Sequence, residues 1–133
     1  MKAVLDTNVL VRHLTADPLE QGRRATAFLA RAEELLLPDL VVAELVYALG
    51  AVYRIERGRV AELVRAVIAF PSVAVIDEAL LLRALELYER ESLDFVTAYL
   101  AASAERSGVG AVASFYRSLE RIESVQRIEP DGL

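Results

Sequence analysis

Lys2-Ala3-Val4-Leu5-Asp6-Thr7-Asn8-Val9-Leu10 is the stretch on which the reading of this chain turns. Lys2 to Leu5 reads as the start of a buried strand, which puts Asp6 at its carboxyl end, where open α/β sheets bind their ligands. A carboxylate in that place points to metal chemistry. Asn8 adds weight, because it is the only asparagine in the sequence. The competing reading is plainer: Thr7 or Asn8 caps the first helix.

Working outward, strands and helices alternate with no linker, repeat or low-complexity stretch. A short helix is expected over Val9–Leu14, and Pro18 suits the first turn of a second helix running to about Ala32. Leu35–Leu37 reads as a second strand. Pro38-Asp39 opens a third helix carrying Leu40, Val41, Leu45, Leu49 and Val52 at helical spacing. Gly58 precedes a fourth helix that ends near Ala69, before Pro71. Val73–Ile76 is a third strand, and Asp77 is placed to cap a helix to about Arg90. Another helix spans about Asp94 to Arg106 and stops at Gly108 and Gly110. Ala111–Ser114 is a fourth strand, Arg117–Arg121 a short helical segment and Val125–Ile128 an edge strand. This alternation predicts an α/β fold, a three-layer α/β/α sandwich around a parallel sheet of four to five strands. Residues 1–133 are expected to form a single domain.

The chain has 133 residues, 55% of them hydrophobic, which is enough to bury a core and excludes intrinsic disorder. No apolar run approaches the roughly 18 residues of a membrane span. Asp6 comes too early for a signal peptide, so the expected location is cytoplasmic. Without cysteine there is no disulfide framework, thiolate nucleophile or zinc–thiolate site. One histidine disfavours a histidine-rich metal site, and His13 is expected to be structural or on the surface. The net charge of −5 argues against a broadly basic surface, but acids gathered around a cation would lower the total without preventing phosphate chemistry. No glycine-rich phosphate loop is present; Gly108-Val109-Gly110 is too short and follows a helix instead of opening one.

Two further acids stand out. Glu44 interrupts the apolar run Val41-Val42-Ala43-Glu44-Leu45-Val46-Tyr47, where a charge either faces solvent or coordinates something. Asp94 follows Ser92-Leu93 at a helix start, where an acid also complements the helix dipole. Asp6, Glu44 and Asp94 arise on separate elements, as carboxylates around a hard cation do. Oxygen ligands of this kind suit Mg²⁺ or Mn²⁺.

With these residues in place the chain resembles the PIN domain family, and within it the VapC-type toxins of toxin–antitoxin pairs. The resemblance rests on Val4–Leu10, on Val42-Ala43-Glu44-Leu45, on Leu93–Ala102 and on Val112-Ala113-Ser114-Phe115-Tyr116-Arg117, in that order. It implies a Mg²⁺- or Mn²⁺-dependent endoribonuclease with Asp6, Glu44 and Asp94 as catalytic, metal-binding acids. Asn8 would orient ligands or water, with Thr7, Thr97 and Ser114 as supporting positions. Metal-assisted hydrolysis needs no covalent intermediate, in keeping with the absence of cysteine. The resemblance also implies RNA as substrate, a homodimer and a small antitoxin protein as partner. Arg54, Arg57, Arg59 and Arg65 are the arginines on offer for RNA phosphate, against their plainer reading as solvated helix surface.

The departures are specific. Thr97 and Tyr116 stand where the family usually carries acids, and neither is charged at pH 7. Asp94 lies one helical turn before Thr97, close enough to substitute in part. Two readings follow: an attenuated nuclease, or a degenerate PIN domain that binds RNA or protein without cutting.

Overall fold

The computed structural model describes residues 1–131, which divide into two compact units, Met1–Glu78 and Ala79 onward. In the first, β1 (Lys2–Val4), β2 (Glu34–Leu36) and β3 (Val73–Ala74) form a parallel sheet in the order β1-β2-β3. Lys2 is in register with Glu34, and Leu35 with Val73. The ladder continues past the strand ends, with the Leu5 N–H donating to the Leu36 carbonyl at 2.9 Å and the Leu37 N–H to that of Ala74 at 2.8 Å. Alternation along β2 is plain, since Leu35 and Leu37 are fully buried while Leu36 is exposed.

Helices α1 (Thr7–Thr15) and α2 (Leu19–Arg31) follow β1 and pack closely. Gly22 permits the approach: a Cβ there would lie 2.6 Å from the Ala16 Cα and 2.9 Å from the Arg12 carbonyl oxygen. His13 is held inside this unit by its Nδ1 at 2.8 Å from the Thr26 hydroxyl and by an edge-on contact with Phe70. Burial lowers its pKa, which favours the neutral imidazole, and of the two readings, structural or surface, its contacts favour the first. α3 (Asp39–Tyr47) does not run on to Val52 as one α-helix; it passes into a π-helical turn over Ala48–Val52. Val42, Leu45 and Leu49 are buried, but Leu40 and Val52, two of the expected apolar positions, face solvent. α4 (Arg57–Ile68) is capped by the Glu56 carboxylate, which accepts from the Gly58 N–H at 2.8 Å.

The second unit contains α5 (Glu78–Glu91) from its second residue on, α6 (Phe95–Ser107), β4 (Ala111–Ala113), a 3₁₀ turn over Arg117–Arg121 and β5 (Gln126–Ile128). β4 and β5 pair in parallel, Ala111 with Gln126 and Ala113 with Ile128. α6 ends at Gly108, whose φ of 80° is the left-handed conformation a glycine adopts freely. Leu81, Leu85, Ala98, Ala101 and Leu119 are buried here. Arg83 grips Glu105 in a two-pronged bond, Nε to Oε1 at 2.8 Å and Nη2 to Oε2 at 2.9 Å, with Glu86 also on the guanidinium and the Ser124 hydroxyl on Glu105. The guanidinium holds the Glu105 carboxyl below its ordinary range.

The α/β class and the parallel strands are therefore as expected. All five strands lie near their expected positions, but their hydrogen bonds group them as three and two. The strands are only two or three residues long, so each ladder consists of a few bonds. Among the described residues no helix is long and apolar enough to cross a membrane.

Candidate active site

Asp6 occupies the junction between β1 and α1. Its backbone is extended (φ −93°, ψ 150°) and it sits at the N-cap position of α1, yet its carboxylate makes no capping bond. Thr7 and Asn8 are the first residues inside the helix, so neither caps it. The side chain of Asp6 is exposed and is not spent on closing the helix end.

Glu44 reaches this junction from α3. Its neighbours Val42, Leu45 and Val46 are buried, so the helix rotation that seats them turns Glu44 outward. It does not simply project into water, because the Thr7 hydroxyl donates to its Oε1 at 2.6 Å across 37 residues of sequence. That bond fixes one carboxylate beside the residue that follows the other. Asn8, one position further along α1, lines a cleft of about 800 Å³ that also includes Arg12, Arg24 and Arg31.

The remaining expected site residues belong to the second unit, where each has a structural task. Asp94 is the N-cap of α6, its Oδ1 accepting from the Thr97 N–H at 2.7 Å. Thr97 is only 6% exposed, so the position where the family usually has an acid is a buried one in this chain. The Ser114 hydroxyl accepts from the Tyr116 N–H at 3.0 Å, and its carbonyl accepts from Arg127 at 3.0 Å. Tyr116 is exposed at the start of the 3₁₀ turn.

Among the described residues, no three Asp, Glu or His side chains gather closely enough to hold a metal ion between them. The chemistry of Asp6, Glu44 and Asn8 still fits Mg²⁺ or Mn²⁺, since Mg²⁺ is often bound through one or two carboxylates while keeping several waters and substrate oxygens. Of the arginines singled out from the sequence, Arg59 pairs with Glu62, and Arg57 and Arg65 also have partners within the fold. The three cleft arginines were missed, although Arg24, Phe28 and Arg31 at helical spacing are a sequence signal for one basic and aromatic face.

The PIN domain family profile matches residues 3–124. No curated protein matches the chain. Among solved structures, the VapBC2 complex of Rickettsia felis bound to a DNA fragment from its promoter is similar to it at 15% identity, over 98% of this chain and 100% of that one, with a TM-score of 0.39.

Proposed function

The chain belongs to the PIN domain family, whose members are usually nucleases, and on that premise we propose that it is a Mg²⁺- or Mn²⁺-dependent endoribonuclease of the VapC toxin type. The observation that carries the reading is the bond from Thr7 to Glu44, which ties a carboxylate of α3 to the first residue after Asp6. Asp6 and Glu44 would hold the cation, with the Asn8 amide orienting a water or phosphate oxygen beside them. When bound, the cation supplies Lewis acidity and a water of lowered pKa for phosphodiester hydrolysis. Glu44 accepts a proton or a water hydrogen bond, and Thr7 keeps its carboxylate aimed while doing so. Asp6 contributes a carboxylate oxygen to the cation. The chain works as one cytoplasmic domain, as a homodimer, with a small antitoxin protein as its partner. Exposed Leu40, Tyr47 and Val52 on α3 and the turn after it supply apolar surface for such contacts.

A second reading has its own support. Thr97 is buried and neither it nor Tyr116 carries a carboxylate, so the site has fewer acids than usual, as a module that binds RNA or protein without cutting it would. RNA cleavage by the purified protein with Mn²⁺ separates the two. We expect cleavage that EDTA abolishes and that Asp6→Asn lowers by about 100-fold or more, the scale of losing a metal ligand in hydrolysis. Wild type that binds RNA but leaves it intact, with cleavage gained only in Thr97→Asp/Tyr116→Asp, would establish the second reading.

A further inference from the structure

The chain carries a net charge of −5, yet the cleft along α1 and α2 is lined by Arg12, Arg24 and Arg31 and by no carboxylate. Arg12 is steadied by a neutral group, its Nε donating to the Gln21 Oε1 at 2.7 Å, so its charge is not cancelled there. Arg24, Phe28 and Arg31 lie at i, i+4 and i+7 on one face of α2. Seven residues of helix separate the two guanidinium-bearing positions by about 10.5 Å along the axis. Phe28, between them in sequence, lines the same cleft. Asn8, two residues after Asp6, lines the same cleft.

We infer that this cleft is a track for single-stranded RNA leading to the Asp6–Glu44 corner. Two features select that occupant. A row of cations matches a phosphate backbone, and an aromatic ring set among cations offers a face on which a base can stack, the combination that single-strand binding proteins use. An acidic peptide would use the arginines but has no base for Phe28. The cleft also includes Asn8, two residues after Asp6, so a strand lying on Arg24 and Arg31 would bring a phosphate toward the proposed chemistry. The choice of occupant rests on the ribonuclease reading, but binding by the track does not require that cleavage occurs.

The test is fluorescence anisotropy with a short fluorescein-labelled oligouridylate, in EDTA and over a range of KCl, beside a fluorescein-labelled oligoglutamate peptide. The double variant Arg24→Gln/Arg31→Gln should bind oligouridylate at least tenfold more weakly, and the slope of log K against log salt should become shallower by about 1.4, two phosphates' worth. Phe28→Leu should weaken binding roughly fivefold without changing the slope, because stacking releases no counterions. Arg23→Gln, on the same helix but outside the cleft, serves as the comparison and should leave the slope alone. A slope that is equally reduced by Arg23→Gln, a double variant that binds like wild type, or tighter binding of oligoglutamate than of oligouridylate would overturn the inference. If wild type never cleaves RNA but its binding depends on Arg24 and Arg31, the nuclease reading fails and the track stands. If cleavage depends on Asp6 while binding ignores the arginines, the reverse holds.

Discussion

The polar residues of the two units are put to different uses. In the first, Asp6 closes no helix end and Glu44 is aimed by a hydroxyl from another helix. In the second, Asp94 caps α6, Ser114 shapes the turn after β4, and Thr97 is packed away from water. The first arrangement leaves carboxylates available to a ligand; the second commits side-chain polarity to the backbone. A capping or turn bond contributes roughly 1 kcal/mol to stability and asks nothing of a substrate. The family resemblance at Leu93–Ala102 and Val112–Arg117 therefore includes side chains bonded to the backbone, whereas at Asp6 it includes a carboxylate that makes no capping bond.

That contrast can be broken at three points. The largest effect is expected at position 97: Thr97→Asp buries a carboxylate and should cost about 2 kcal/mol, net of its favourable place in the first helical turn. Thermal or urea unfolding measures it, and an unchanged midpoint would show that position 97 has solvent or a partner to charge it. Next comes the aim of Glu44. Thr7→Val keeps the shape and removes the donor, and should lower RNA cleavage about tenfold, or 1.4 kcal/mol, with a stability change under 1 kcal/mol. Equal loss of activity and fold would instead make the bond purely structural. The smallest effect lies at Asp94. Asp94→Ala should destabilise by about 1 kcal/mol, and Asp94→Asn, which still caps, by a few tenths. Calorimetric titration of Mn²⁺ should give the same affinity for Asp94→Asn as for wild type; a several-fold loss would make Asp94 a metal ligand as well as a cap.

Much of this was legible beforehand, for reasons visible in particular residues. Short apolar runs bounded by turn residues located all five strands, because a buried strand needs only a few apolar residues between breaks in the chain. Gly108 marked the end of α6 because a left-handed residue favours glycine on steric grounds alone. The π-helical turn at Ala48–Val52 was not legible, since Leu49 and Val52 keep a helical spacing and only the packing decides which is buried. Nor could the sequence choose between solvent and function for Glu44: it faces outward and is bonded to Thr7.

By itself the sequence determined the family, the α/β class and the candidate acids, because each is written in local order: an acid at a strand end, apolar periods, motif blocks in series. Only the tertiary structure decided which acids are spent on the fold. Asp6 and Asp94 both stand at N-cap positions, and one makes the capping bond while the other does not. Thr7 meets Glu44 across 37 residues, and the arginines of α1 and α2 line one cleft. Hydrogen bonds and charge fields act through space, so their partners are chosen by how helices pack and not by how residues are spaced along the chain.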